Sequence, residues 1–193
     1  MPKSAIVLLA NGFEEIEATC PIDLLRRADV QVTVAAVGED LPVTGRSKLT
    51  LHADCPLPEV LDQSFDLLVL PGGPAVFDLR EQFRVLDLIR RFHLEGRVIG
   101  AICAAPLLLL DAGILPGPSH TAHESVAEEL PDLVTGQETI SEGQLITSRG
   151  AGTAISFGLA LIAALCGSEQ AESIRQSIHA PSMAQFHQYK YSL

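Results

Sequence analysis

The chain alternates short apolar runs with longer amphipathic ones from its first residues. Residues 5–10 form a continuous apolar stretch of strand length, and residues 14–28 carry a helical pattern ending on Arg26-Arg27. Residues 30–37 (VQVTVAAV) are β-branched and mostly apolar, which predicts a second strand. Two strands separated by one helix predict a βαβ unit in a parallel sheet. Alternation about Gly45 within residues 42–54 predicts a hairpin excursion. Residues 66–70 (DLLVL) read as a third buried strand that stops at Pro71-Gly72-Gly73-Pro74, and one helix rich in Leu, Val and Arg follows to about Leu94. Residues 97–102 predict a strand, residues 104–112 a helix stopped by Gly113, and Leu145-Ile146-Thr147 the last strand after Gly143. Residues 153–165 are apolar nearly all round, which predicts a buried helix, and residues 169–178 one more helix. No repeat or low-complexity linker interrupts this pattern. The expectation is one α/β domain over residues 1–193.

Composition narrows the class. A chain of 193 residues with 47% hydrophobic side chains supports one well-buried core. No apolar run approaches the ~20 residues that span a bilayer, and residues 5–10 are too short for a signal sequence. A cytoplasmic protein without a membrane partner is expected. The net charge of −11 repels phosphate backbones, and the basic pairs Arg26-Arg27 and Arg90-Arg91 have acidic neighbours, so they read as solvated faces. No nucleic-acid partner is expected. The cysteines at 20, 55, 103 and 166 lack Cys-x-x-Cys spacing, which argues for free thiols over a disulfide framework or zinc site. No metal and no cofactor are expected.

Cys103 stands out by its setting. Small residues flank it at a strand-to-helix junction, Gly100-Ala101-Ile102-Cys103-Ala104-Ala105, as a tight, crowded turn requires. There the thiol faces the carboxyl edge of a parallel sheet, where open α/β sheets place ligands, and the next helix N-terminus favours a thiolate. A buried, inert cysteine is the alternative reading. Cys20, Cys55 and Cys166 have no comparable setting: two fall in helical segments and one in a loop beside Pro56.

Two further segments reach the same edge. Asn11-Gly12-Phe13-Glu14-Glu15-Ile16-Glu17 brings carboxylates after the first strand. Compensation of the helix dipole accounts for Glu14 and Glu15. Glu17 precedes Pro21 by four residues, at an expected kink, and is the carboxylate expected to turn inward. Pro71-Gly72-Gly73-Pro74 lets backbone N–H groups approach a reacting oxygen, or is simply a turn. A cysteine nucleophile also draws on a histidine for proton transfer. His120 and His123 downstream are the candidates, with a core or surface histidine as the alternative for each.

LANGFEEIEA, LPGGP, AICAAP, the His123 segment and LITSRGAGTA, in this order and spacing, resemble the DJ-one/ThiJ/PfpI superfamily. The resemblance runs from residue 3 to about residue 180 and is nearest the short, single-domain ThiJ-like and DJ-one-like branch. It implies a flavodoxin-like three-layer sandwich, a mostly parallel central sheet, a cysteine nucleophile elbow and a homodimer. It implies that Glu17, protonated, hydrogen-bonds Cys103, that His123 is the partner histidine, and that Gly73 is a backbone donor. The tail after Ile178 resembles bacterial ThiJ-like members. Two positions depart from the family: Arg46-Ser47 reverses its Ser-Arg pair, and Pro74 removes one N–H from the glycine loop.

The activity so implied is the handling of small aldehydes and dicarbonyls in stress defence. The chain is expected to act as a glutathione-independent glyoxalase (glyoxalase III-like lyase) or as a deglycase-type hydrolase. Cys103 would attack, Glu17 and His123 would move protons, and the N–H groups of Gly73 and Ala104 would steady the oxyanion. Two other functions fit the same resemblance: an oxidative-stress sensor through Cys103 sulfinic acid, and a chaperone in which the thiol matters little.

Overall fold

The computed structural model describes residues 2–181; the tail from Ser182 onward, including His187, lies outside the described residues. The first strand, β1 (Ser4–Leu9), leads through a short turn into α1 (Glu15–Arg27) and back into β2 (Gln31–Ala36), parallel to β1. The hairpin β3 (Pro42–Thr44) and β4 (Thr50–His52) stands apart as a small antiparallel sheet. A two-residue strand, β5 (Cys55–Pro56), then returns to pair with β2, so Cys55 lies in a strand rather than a loop. After β6 (Leu67–Leu70) come α2 (Ala75–Leu79) and α3 (Phe83–Leu94), then β7 (Val98–Ile102) and α4 (Pro106–Asp111). The chain closes with β8 (Thr139–Glu142), β9 (Leu145–Ser148), α5 (Ala154–Cys166) and α6 (Ser168–Ser177).

The seven-stranded sheet runs β5-β2-β1-β6-β7-β9-β8 and is parallel except for β8, which pairs antiparallel with β9. Helices cover both faces, which explains why the strands read as continuous apolar runs. Along β1, Ala5, Val7 and Leu9 join α1, α5 and α6 in one core, while Ile6 and Leu8 join α3 and α4 in the other. This is the flavodoxin-like sandwich expected from the resemblance. The chain leaves β1 toward β2 on one side and resumes at β6 on the other, so the strand order reverses between β1 and β6. The loops after these two strands come together at the carboxyl edge of the sheet.

The structure redraws several predicted elements. The single helix expected after Pro74 is two, because Gln82 takes an extended backbone (φ -90, ψ 95) between α2 and α3, and Arg80 turns out to pair with Asp111 (2.6 Å) and Glu129 (2.7 Å). The helix expected from residue 104 begins only at Pro106, whose missing N–H is harmless in a first turn. The apolar α5 is not buried all round: Ile155 is 42% exposed, and small residues line its outer side. Arg26 and Arg27 form a solvated face, near Asp54 and bonded to Asp23, whereas Arg90 and Arg91 are half-buried and bond the carbonyls of Asp111, Ala112 and Leu61. No helix among the described residues is long and apolar enough to cross a membrane.

Close packing of α5 on the sheet depends on Gly100 in β7. A Cβ there would fall 2.6 Å from Leu161 Cδ2 and 2.9 Å from Phe157 Cζ, both on fully buried side chains. Gly100→Val is expected to destabilise the fold by about 1–3 kcal/mol through overpacking, despite the strand preference of valine. Denaturant unfolding with wild-type stability would contradict this packing.

Candidate functional site

The site forms where the loops after β1, β6 and β7 meet. Cys103 follows β7 directly with φ +66, a left-handed conformation unusual for a residue bearing a Cβ. Such strain costs about 1–3 kcal/mol and persists only where the surroundings enforce it. Here both backbone groups are tied: the Cys103 N–H donates to the Ser148 carbonyl (2.9 Å), and the Cys103 carbonyl accepts from His123 N–H (2.9 Å). The expected elbow is therefore present, with the thiol half-buried at its tip.

Glu17 reaches this thiol from the first turn of α1. Glu14 caps the helix, accepting from the Glu17 N–H (2.9 Å), and Pro21 leaves the Glu17 carbonyl without its intrahelical donor. The Glu17 side chain is buried, 1% exposed; Oε2 accepts from Gly72 N–H (3.0 Å), and the carboxyl hydrogen-bonds the Cys103 sulfur. The backbone N–H groups of Gly73 and Ala104 also reach the sulfur. Pro74 costs the loop nothing at this point, because the donor that serves the thiol belongs to the residue before it.

The two glycines of the loop have different reasons. A Cβ on Gly72 would lie 2.6 Å from Cys103 Cβ and 2.6 Å from Glu17 Oε2, so only a bare Cα fits between acid and thiol. Gly73 has φ +93, and a Cβ there would strike Gly12 O and Glu14 N. Cross-bonds between the loops, Glu14 N–H to Gly72 O (3.0 Å) and Ala75 N–H to Gly12 O (3.2 Å), hold this approach.

Burial dominates the electrostatics. It raises the Glu17 carboxyl from 4.5 to about 7, with the Glu14 charge adding to the rise while the Cys103 and Gly72 hydrogen bonds and Arg46 oppose it. Burial likewise pushes the Cys103 thiol up to about 12, helped by the charge and hydrogen bond of Glu17 and opposed by the Gly73 and Ala104 N–H groups. The expectation that the following helix favours a thiolate is therefore overruled. Helix α4 has only six residues, whereas the buried carboxylate touches the sulfur. When Glu17 holds a proton, its charge no longer disfavours the thiolate. Between about 7 and about 12 the pair holds a single proton.

His123 stands at the mouth, exposed, at the start of a 3-10 turn. Its Nδ1 accepts from Ser125 N–H (3.2 Å), so the neutral ring carries its proton on Nε2. A Cβ on Gly150 would lie 3.4 Å from His123 Cδ2 and 3.7 Å from Glu17 Oε1, which places both groups over one glycine. Outside them lies a polar cleft of about 430 Å³ lined by His123, Glu124, Glu138, Arg149 and residues 150–153. His120 is buried instead, its Nδ1 bonded to the Pro118 carbonyl (3.0 Å).

Sequence reasoning missed Ser148 and Gly150 as parts of the site, the place of Gly72 between acid and thiol, and the work of Glu15. Glu15 is buried and accepts from the N–H groups of Ser47 (2.6 Å) and Leu49 (3.4 Å), fastening the β3–β4 hairpin to α1. Burial raises its carboxyl, but the N–H donors around it outweigh that and hold it below its ordinary value. In the reversed pair, Ser47 therefore serves Glu15, while the Arg46 N–H goes to the Phe13 carbonyl.

A parallel α/β sandwich with a thiol at the turn after β7, a buried acid from the first helix and N–H donors on the sulfur defines a cysteine-elbow protein of flavodoxin-like fold. The chain belongs to the DJ-1/PfpI family, whose pattern matches residues 3–164. It is 37% identical to protein dj-1beta of Drosophila melanogaster over 182 residues, covering 92% of this chain and 97% of that protein. The crystal structure of Drosophila DJ-1beta superposes with a TM-score of 0.90 over 94% of this chain and all of that chain, at 36% identity. The glutathione-independent glyoxalase DJR-1.2 of Caenorhabditis elegans is 32% identical over 176 residues, 89% of this chain and 94% of that protein.

The raised carboxyl has a consequence for stability. Between its ordinary value of 4.5 and the folded value of about 7, native Glu17 keeps a proton that the unfolded chain releases. Its contribution is thus complete below the lower value and is lost as pH rises through the upper one. The thiol's rise begins only at 9 and leaves this window untouched. Denaturant unfolding is expected to show wild type losing stability relative to Glu17→Gln between about pH 5 and pH 7.5. A constant difference between the two proteins across that window would contradict the assignment.

Proposed function

We propose that the chain is a cysteine-dependent enzyme that converts small reactive dicarbonyls to hydroxy acids without glutathione. The observation that carries this reading is the convergence of Glu17, Gly73 N–H and Ala104 N–H on the Cys103 sulfur. The C. elegans relative, named a glutathione-independent glyoxalase, supports it. Asymmetric dicarbonyls such as methylglyoxal need no external oxidant. One carbon is oxidised and its neighbour reduced within the same molecule, and one water is added.

The steps follow from the groups present. Proton transfer from Cys103 through Glu17 frees the thiolate, which bonds to the aldehyde carbon. The N–H groups of Gly73 and Ala104 steady the oxygen anion that develops, and this oxygen then takes the proton held by Glu17, which leaves that carboxylate free to act as a base. Glu17 removes the hydrogen of the former aldehyde carbon as a proton, and His123 serves the neighbouring carbonyl oxygen at the mouth. Reprotonation at the neighbouring carbon leaves a hydroxyacyl thioester on Cys103. Water then cleaves the carbon–sulfur bond to release lactate and the thiol. The position of Glu17 is what lets one residue both give and take the proton: burial holds it near neutrality.

The same reading makes the chain a single-domain cytoplasmic homodimer. Ile16 and Leu49, 53% and 62% exposed on the two elements that Glu15 ties together, offer an apolar face for a second copy. A sensor role is the second reading, favoured by the carboxyl held against the sulfur. Two equivalents of peroxide would give a sulfinic acid and two waters, and the protonated Glu17 would hold it. Oxidation scattered over all four thiols after mild peroxide, read by intact mass, would count against that role.

Lactate release from methylglyoxal tests the enzymatic reading. Wild type is expected to turn over and Cys103→Ala to lose at least about a hundredfold, with Glu17→Gln impaired about as severely. Equal rates in wild type and Cys103→Ala, or no turnover in either, would overturn it.

A further inference from the structure

Ser148, whose carbonyl receives the Cys103 N–H, is fully buried at the end of β9. Its hydroxyl lies within hydrogen-bonding distance of three oxygens: Glu138 O (2.8 Å), Thr139 Oγ1 (2.9 Å) and Thr153 Oγ1 (2.7 Å). Thr153 Oγ1 in turn donates to Gly150 O (2.8 Å) and accepts from Gly150 N–H (3.2 Å). Gly150 is the residue over which His123 and Glu17 meet. One chain of bonds therefore runs from the Cys103 amide through Ser148 and Thr153 to the turn behind the acid and the histidine.

The protons of this chain are limited. Ser148, Thr139 and Thr153 bring one hydroxyl proton each, and the contacts above include four between oxygens. Carbonyls only accept, so Ser148 satisfies the Glu138 carbonyl and takes a proton from Thr139. The Thr153 proton is left to serve both the Gly150 carbonyl and the Ser148 hydroxyl. Thr153 is thus the joint at which the turn is tied either to itself or to the strand that supports the elbow.

We propose that Thr153 is a positioning residue, whose hydroxyl bridges Ser148 to Gly150 and thereby sets the gap between the Cys103 elbow and the turn that backs Glu17 and His123. The proposal rests on the reading of Cys103, Glu17 and His123 as the reactive group of the protein. Val at this position keeps the shape and the backbone bond from its own N–H to Gly150 O (2.8 Å), but removes every hydroxyl bond of the joint, so that Ser148 loses its link to the turn and the Gly150 N–H loses its acceptor. The turn then moves off Glu17, and water reaches a carboxyl whose raised value depends on burial.

The test compares Thr153→Val with Thr153→Ser, which retains the hydroxyl. The readout is the pH dependence of Cys103 alkylation by iodoacetamide, followed by the mass of the peptide that carries Cys103, with melting temperature in parallel. Thr153→Val is expected to change the alkylation rate at neutral pH by about tenfold and to displace the pH profile, while Thr153→Ser stays within about twofold of wild type. Should Thr153→Val fail to fold, Ser148→Ala is read in its place and is expected to displace the profile in the same sense. A wild-type profile in Thr153→Val or its substitute, or a Thr153→Ser defect as large as that of Val, would overturn the proposal. A displaced profile supports it even where wild type turns over no methylglyoxal, an outcome that counts against the dicarbonyl reading alone.

Discussion

Glu17 and Cys103 are held against each other out of water, and the carboxyl edge of the sheet is arranged around that contact. Burial raises both groups, the acid to about 7 and the thiol to about 12. Neither charge is comfortable alone. A thiolate forms most readily when the carboxyl is protonated and the N–H groups of Gly73 and Ala104 face the sulfur. The reactivity of the site is therefore a property of the pair, carried by a separation that three different loops must maintain.

The fold supplies that separation through unusual backbone. Cys103 takes a left-handed conformation because its amide is fixed to β9 and its carbonyl to the His123 segment. Gly72 is bare because any side chain would collide with the thiol on one side and the acid on the other. Glu17 enters at the first turn of α1, beside a carbonyl that Pro21 leaves free. Each device is local, but each acts only because β1, β6 and β7 lie side by side in the sheet.

Much of this was readable beforehand, for definable reasons. Strands β1, β2, β6 and β7 show as apolar runs because both faces of the sheet are covered. Cys103 shows through its small neighbours, and Glu17 through its spacing from Pro21. The break between α2 and α3 was hidden because residues 75–94 contain neither glycine nor proline to mark it. The two residues of β5 are too few to carry a period. The role of Gly72 depends on strand order, which no local pattern encodes. The acidity of the thiol was misjudged because a helix terminus is visible in a sequence, whereas the touching carboxylate and the depth of burial are not.

The Glu17 proton can be observed directly. Carbon-detected NMR of the Glu17 side-chain carboxyl across the acid-to-neutral range reports its own titration. The account predicts an inflection near about 7. An inflection at the ordinary carboxylate value of 4.5 would mean that Glu17 is already ionised beside the thiol at neutral pH, and would contradict it.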